Sequence, residues 1–437
     1  MSNLRQGNAR QQFYIFCSVN IGILGLIMGA IIASFNLSFA QCIAVALFGS
    51  ASYALVGIVA LAGHKQGKTT LLLSEQVFGL RGNILPNITA WMTFVGWLII
   101  NVITSTLIIL AILSILGIES NSTITLISAL IIVALASSCC LVPNNTLATI
   151  EKYLTIIFGL TTLCVILYLV SNIDYKILLQ RPSGDFLKDF LPALSFIIAG
   201  TGLGWVMAGA DYSHNVKETE SRTKLFFAVS LGGFIPLSIV FIAGILMTTN
   251  MSDLASSANP LELIAKSIPA WAAVPYYIIA LGSLLPQCII GLKSSDINIS
   301  TILKTKNAKL TITLHAIFMT VMSLIALLTN TDLVGTFITF LSFVGVAVSS
   351  WSSIFIYNFI VRDIKDNYKE IAIKSFNADA VIAWLIGIVV GIQFISNSLY
   401  DGIFANSAGA QGSLYLLITL TTSGLIYILL HKITSKE

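Results

Sequence analysis

Gly200-Thr201-Gly202-Leu203-Gly204-Trp205, ending at Gly209-Ala210-Asp211-Tyr212, lies inside an apolar run long enough to cross a bilayer. Three glycines in five positions make a poor helix interior, because each costs roughly 0.5–1 kcal/mol relative to alanine. Lipid tolerates unwound backbone only where protein or a watered cavity satisfies its N–H and C=O groups. A glycine break at mid-membrane depth beside a large aromatic is the form a transporter's substrate site takes. The same glycines would also serve close helix packing, as in small-xxx-small contacts. A second run has a polar, glycine-rich centre, Phe16-Cys17-Ser18-Val19-Asn20-Ile21-Gly22, then Gly25 and Gly29. An amide such as that of Asn20 is too costly at that depth unless paired, either with a ligand or with a neighbouring helix.

The chemistry these residues offer is non-covalent. No nucleophile–base pair and no Walker-type loop accompanies them, so no enzyme is expected. The four histidines are scattered. The six cysteines (Cys17, Cys42, Cys139, Cys140, Cys164 and Cys288) all fall in apolar runs and read as buried small hydrophobes, without metal-ligand spacing. Neither metal nor cofactor is expected. Without a nucleotide-binding loop, transport has to run on an ion gradient or passively.

The elements that position these residues follow from composition. The 437 residues are 56% hydrophobic and 10% charged, with a mean hydropathy of +0.92, which excludes a soluble domain. Runs of the length that a hydrocarbon core of about 30 Å demands recur twelve times. They cover roughly 13–34, 40–63, 86–116, 122–142, 147–171, 191–212, 225–248, 271–295, 309–328, 333–360, 378–397 and 412–431. With the N-terminus in the cytoplasm, 18 lysines and arginines fall on the inside and 4 on the outside, and Lys293 is left within a segment. That bias places both ends in the cytoplasm of an inner or plasma membrane protein. The net charge of +4 then reflects topology, and no nucleic-acid partner is expected. The charge-alternating stretches 213–224 and 361–377 read as solvated loops.

Segments one and six stand five helices apart, the relation of two five-helix repeats of inverted topology followed by two additions. The expected organisation is a tail at 1–12, helices one to five at 13–171, helices six to ten at 191–360, helices eleven and twelve at 378–431, and a tail at 432–437.

The linker after segment two reads Gly63-His64-Lys65-Gln66-Gly67-Lys68-Thr69-Thr70, then Phe78-Gly79-Leu80-Arg81-Gly82-Asn83-Ile84-Leu85-Pro86. Together with Ser18-Val19-Asn20, Gly96-Trp97, Ile150-Glu151-Lys152-Tyr153 and Ala210-Asp211-Tyr212-Ser213, it resembles the nucleobase:cation symporter-1 family. The closer likeness is to the purine–cytosine permease branch, from about segment one to segment ten. The resemblance implies a leucine-transporter-like 5+5 inverted-repeat fold, all-α with about twelve transmembrane helices. It also implies a heterocyclic base bound between helices one, three, six and eight.

A flat base wants aromatic faces, worth about 1–3 kcal/mol each by stacking, and a few placed amides or hydroxyls to read its edge. The candidate substrate-binding residues are therefore Trp97, Trp205, Asn20, Gly96, Thr201, Gly202 and Gln287. Gly202 takes the place of an aromatic in some relatives, and Phe94 takes that of a glutamine in the cytosine permeases. Trp91, Trp271, Trp351 and Trp384 lie nearer segment ends, where an interfacial belt would account for them.

In segment eight, relatives carry an asparagine, and sodium-coupled ones a hydroxyl pair. These align with Gln287, Cys288, Ile289 and Gly291, which favours a proton over sodium as the coupling cation. Pro286 would free backbone carbonyls nearby. Lys293, Ser18, Ser294 and Asp211 are the candidates for coupling or gating. For Lys293 the alternative is snorkelling toward the cytoplasmic end, and for Asp211 and Glu151 it is a structural ion pair.

The expected function is secondary active import of cytosine, a purine or a related heterocycle with a cation, by alternating access and as a monomer. Transport of a vitamin-like heterocycle or an amino acid on the same fold remains an alternative, and a passive channel is a more distant one.

Overall fold

The computed structural model describes residues 5–140, 144–171, 173, 175–257, 259–303, 307–329, 333–364, 373–397 and 399–434. Within them the chain is helical, with two isolated bridges, Gly7 to Val216 and Ser396 to Asp401. Eight helices are long and apolar enough to cross a membrane singly; a pair bent by 62° forms a ninth span, and three shorter apolar helices complete the set.

In chain order, span 1 is Ala9–Asn20 with Ile23–Ser34, span 2 Phe39–Gln66, span 3 Ile84–Ile115 and span 4 Ser122–Cys140. Span 5 is Asn144–Val170, span 6 Phe186–Val206, span 7 Arg222–Met247 and span 8 Ala270–Leu303. Span 9 is Ala308–Thr329, span 10 Leu333–Ile364, span 11 Ala378–Ile392 and span 12 Tyr415–Thr434. This order of spans is the integral membrane architecture that the family resemblance implies. Large apolar side chains such as Leu130, Ile131, Leu160, Ile317 and Leu425 are exposed on outward faces, where lipid would cover them.

Both glycine-rich runs break. In span 1 the helix stops at Asn20, Ile21 leaves helical geometry (φ −90°, ψ 87°), and a new helix starts after an extended Gly22. In span 6 the helix Leu191–Gly200 ends at Thr201 (φ −119°, ψ −93°). Gly202–Val206 follows, and Gly209–Ser213 comes after a further turn.

The Thr201 break docks on a kink in span 2. Thr201 Oγ1 donates to Ile197 O at 2.6 Å, and Gly202 N–H donates to Ser52 Oγ at 3.1 Å. The hydroxyls of Ser52 and Thr201 lie 3.0 Å apart. A Cβ at Gly202 would stand 2.3 Å from Ser52 O, so only glycine lets the two breaks meet. Gly29 and Gly244 bring span 1 and span 7 together in the same way, each Cβ position lying 2.9 Å from the other's Cα.

Spans 3, 4, 8 and 9 share a separate apolar cluster of Leu98, Val102, Ile132, Val133, Ala136, Cys288, Leu292 and Met319. On the face that carries the N-terminus, the chain ahead of span 1 is strapped to the loop after span 6. Gly7 N–H donates to Asn215 O at 2.9 Å and Lys217 N–H to Gly7 O at 2.9 Å. Arg5 reaches His64 O at 2.7 Å and Glu218 at 3.3 Å.

Two expectations need correction. Of the four tryptophans assigned to an interfacial belt, only Trp271 is fully exposed (81%), whereas Trp351 is wholly buried and Trp384 nearly so. Their indoles donate inward, to Ser74 Oγ at 2.9 Å and Ala347 O at 3.1 Å. Trp91 donates to His315. Trp351 and Trp384 lie inside the helices Leu333–Ile364 and Ala378–Ile392 rather than at their ends, and a buried indole N–H requires an acceptor. Cys164 is exposed rather than buried, while Cys42 and Cys288 are buried. The side chains of Cys139, Cys140, Glu151, Lys152 and Pro286 lie outside the described residues.

Candidate substrate cleft and gates

The breaks in spans 1 and 6 face each other across a narrow cleft of about 50 Å³, lined also by spans 3, 7 and 8. Sites that enclose small molecules are usually about 300–1,000 Å³, so a ligand would have to part these walls to be seated. Four of the expected substrate residues converge there: Asn20, Trp97, Trp205 and Gln287. Phe94, Asn101, Met28 and Leu237 complete much of the wall.

Trp97 is held by the glycines of span 6. Positions for a Cβ at Gly204 and Gly200 would lie 3.2 Å and 3.9 Å from its indole, so the ring rests across one bare helical turn. Phe337 meets it edge-on at 5.6 Å between centroids. Its indole Nε1 is buried and finds no hydrogen-bond partner among the described residues.

One turn along the same helix, Asn101 is buried, and its Oδ1 is likewise without a partner. An unpaired donor and an unpaired acceptor therefore border one cleft, each costing about 1–3 kcal/mol while unsatisfied. Sequence reasoning passed over Asn101. The signal was its i+4 spacing from Trp97, which puts the two side chains on one helical face.

Asn20 donates from Nδ2 to Phe16 O at 2.6 Å, tying the amide to the last turn before the break. The Gln287 amide lies against the break itself, with Nε2 2.8 Å from where a Cβ of Gly22 would stand.

The remaining expected substrate residues are not part of the cleft wall. Gly96 receives the Phe340 ring, whose Cζ is 2.1 Å from its Cβ position, and so packs span 3 on span 10. Thr201 and Gly202 serve the contact with span 2 described above. These three shape the site through packing.

The gating candidates separate into two places. Ser18 is buried and donates to Ile15 O at 2.7 Å within its own helix. On the face carrying the N-terminus, Asp211 joins three elements. Its Oδ1 accepts from Thr70 N–H at 2.9 Å, at the start of the helix Thr70–Phe78, and its Oδ2 accepts from Ser294 of span 8 at 3.2 Å. Thr70 Oγ1 accepts in return from Ala210 N–H at 3.0 Å. Lys293 is half-buried beside Ser294. No group of three or more His, Cys, Asp or Glu side chains able to hold a metal occurs among the described residues.

The profile of a family described as permease for cytosine/purines, uracil, thiamine and allantoin matches residues 2–417. Similar solved structures include Mhp1, a nucleobase-cation-symport-1 family transporter, closed with bromovinylhydantoin bound. It is 16% identical, with a TM-score of 0.73 over 99% of this chain and 93% of that one. The inward-facing conformation of Mhp1 is 15% identical, with a TM-score of 0.71 over 98% and 92%. A Na+-coupled sialic acid symporter in a substrate-bound outward-open state is 12% identical, with a TM-score of 0.64 over 97% and 89%. A search of curated protein sequences finds no match.

Proposed function

Because the chain belongs to the permease family for cytosine/purines, uracil, thiamine and allantoin, we propose that it imports a flat heterocyclic base together with a cation by alternating access. The observation that carries this reading is the cleft at the two helix breaks. Trp97 and Trp205 border it with π faces, and Trp97 Nε1 and Asn101 Oδ1 supply an unpaired donor and an unpaired acceptor one turn apart. A base carries a flat face for the first and a donor–acceptor edge for the second. Asn20 and Gln287 add amides from the opposite wall.

A proton is favoured over sodium as the coupling cation. Sodium prefers hard oxygen ligands, and the positions aligned with the hydroxyl pair of sodium-coupled relatives are Gln287 and Cys288. The strong excess of lysine and arginine in alternate loops supports a plasma-membrane protein with both termini in the cytoplasm. On that reading the Asp211–Thr70–Ser294 contact closes the cytoplasmic side.

Competition for uptake among radiolabelled adenine, cytosine, uracil, allantoin and hydroxymethylpyrimidine, in cells lacking their own permeases, tests the proposal. Saturable uptake of one of them, abolished by Trp97→Ala in a folded protein, is expected. Uptake of none of them would overturn it.

A further inference from the structure

A second polar cluster lies beneath the cleft, where spans 3, 8 and 9 meet. Trp91 Nε1 donates to His315 Nε2 at 2.9 Å, with the two rings 6.2 Å apart. An indole N–H can only donate, so Nε2 is the acceptor and the proton of the neutral imidazole sits on Nδ1. From there it is donated to Thr311 O at 2.7 Å. The Thr311 hydroxyl donates to Asp296 Oδ1, which also accepts from Ser300 at 3.4 Å. His315 is almost fully buried.

The charged and titratable neighbours are few. Spans 3 and 4 carry no charged residue, and the titratable groups of span 4 are Cys139 and Cys140. Span 8 contributes Asp296, Lys293 and the buried Cys288 thiol, which shares an apolar cluster with Met319 of span 9, and span 9 itself contributes Lys309, which is exposed at its start. Buried Ser295 Oγ and Asn298 Nδ2 on span 8 have no partner among the described residues.

We propose that His315 is the proton-binding site of the symporter, resting on the reading of this chain as a proton-coupled base importer. The coupling element is span 3. Trp91 and Trp97 stand six residues apart on it, about 9 Å along one rigid helix. A proton added to His315 takes the Nε2 lone pair that the Trp91 N–H now occupies, and the imidazolium then faces Trp91 donor to donor. The pair must part, and span 3 moves relative to span 9.

A base seated on Trp97 that favours the same displaced position of span 3 frees the lone pair and promotes protonation. Linkage is reciprocal, so protonation tightens base binding by the same factor. Asp296 is the nearest carboxylate, bonded to the Thr311 hydroxyl while His315 bonds the Thr311 carbonyl. Release to cytoplasmic water restores the neutral ring and the Trp91 contact.

The test is base affinity against pH in the purified full chain, using whichever of adenine, cytosine, uracil, allantoin or hydroxymethylpyrimidine the wild type transports. The wild type is expected to bind at least 5-fold more tightly at pH 6 than at pH 8, within the usual span of coupling. His315→Gln keeps an acceptor for Trp91 but cannot titrate, and its affinity should be flat with pH. Trp91→Phe removes the competitor for the lone pair. Its pH dependence should persist with a midpoint raised by about half a unit to one unit.

A flat wild-type profile, or equal pH dependence in His315→Gln, would overturn the assignment of His315 while base transport stands. Should His315→Gln not fold, an unshifted midpoint in Trp91→Phe overturns it instead. Failure of the wild type to bind any of the five compounds would overturn the transport reading and this inference together.

Discussion

Trp97 Nε1 lies 3.2 Å from where a Cβ of Gly204 would stand, so the indole and the bare helical turn of span 6 occupy adjoining halves of one contact. A branched side chain at 204 takes space the ring now uses. Gly204→Val is expected to weaken base binding roughly tenfold or more, the loss of most of one stacking contact. The unfolding midpoint should fall much less than it does for Gly202→Ala, which drives a methyl into Ser52 O. Isothermal titration and thermal unfolding of the two variants give the comparison; equal binding in Gly204→Val and wild type would contradict it.

Asn101 should set which edge of the base is read. Asn101→Leu removes the unpaired acceptor and leaves the Trp97 donor intact. Bases that present a donor there should lose about 1–3 kcal/mol of affinity, and bases that do not should be little changed. A uniform loss across a panel of methylated bases would argue that Asn101 only packs.

Much of the frame was legible in the sequence, because spans are set by runs of apolar residues and both breaks by glycine. Asn20 and Trp205 could be read as one site because they sit at those breaks, and Trp97 and Gln287 joined them through the family resemblance. What escaped was pairing across distance. Asn101 looked like one polar residue in an apolar run until Trp97 and the cleft fixed the face it shares. Thr70 read as linker, although it bonds a carboxylate 141 positions away. The Trp91 to His315 bond spans 224 positions. Hydropathy also does not distinguish a tryptophan at the lipid interface from Trp351, which is enclosed by other helices inside span 10.

Lys293 is expected to be dispensable for coupling. Its side chain is half-buried beside Ser294 in span 8, and an uncharged polar group is cheaper there than an ammonium. Lys293→Gln should therefore keep accumulation driven by a pH gradient, whereas His315→Gln should lose it and retain counterflow. Measuring both activities in proteoliposomes separates the two residues, and loss of accumulation in Lys293→Gln would return the coupling role to the lysine.

Asp211 is expected to hold the inner side closed. Asp211→Ala leaves Thr70 N–H and Ser294 without their acceptor, a cost of about 1–3 kcal/mol for the first alone if it stays buried. A cysteine placed at Ser294, with the native cysteines removed, should react faster with an impermeant thiol reagent applied from the inner side when Asp211 is also replaced. An unchanged rate would show that the contact is not a closure.

The strap ahead of span 1 owes little to its ion pair. Glu218 is largely exposed, and such pairs contribute little. Glu218→Gln should shift the unfolding midpoint by no more than about 1 °C. Deleting residues 1–8 removes the backbone bonds to Asn215 and Lys217 and should lower it by more.

Where Gly29 meets Gly244, backbone touches backbone, and Gly25 meets Val240 a turn away. A seam with no side chains at its centre has no rotamer that can open it and no slack to slide on. The outer half of span 1 and span 7 must then travel as a single lever. The inner half of span 1 rides on the same helix, where a Cβ of Gly232 would stand 2.9 Å from Phe13 O. Both halves then turn with span 7, and the bend at Ile21 and Gly22 is carried through the swing as a fixed elbow beside which the substrate would sit.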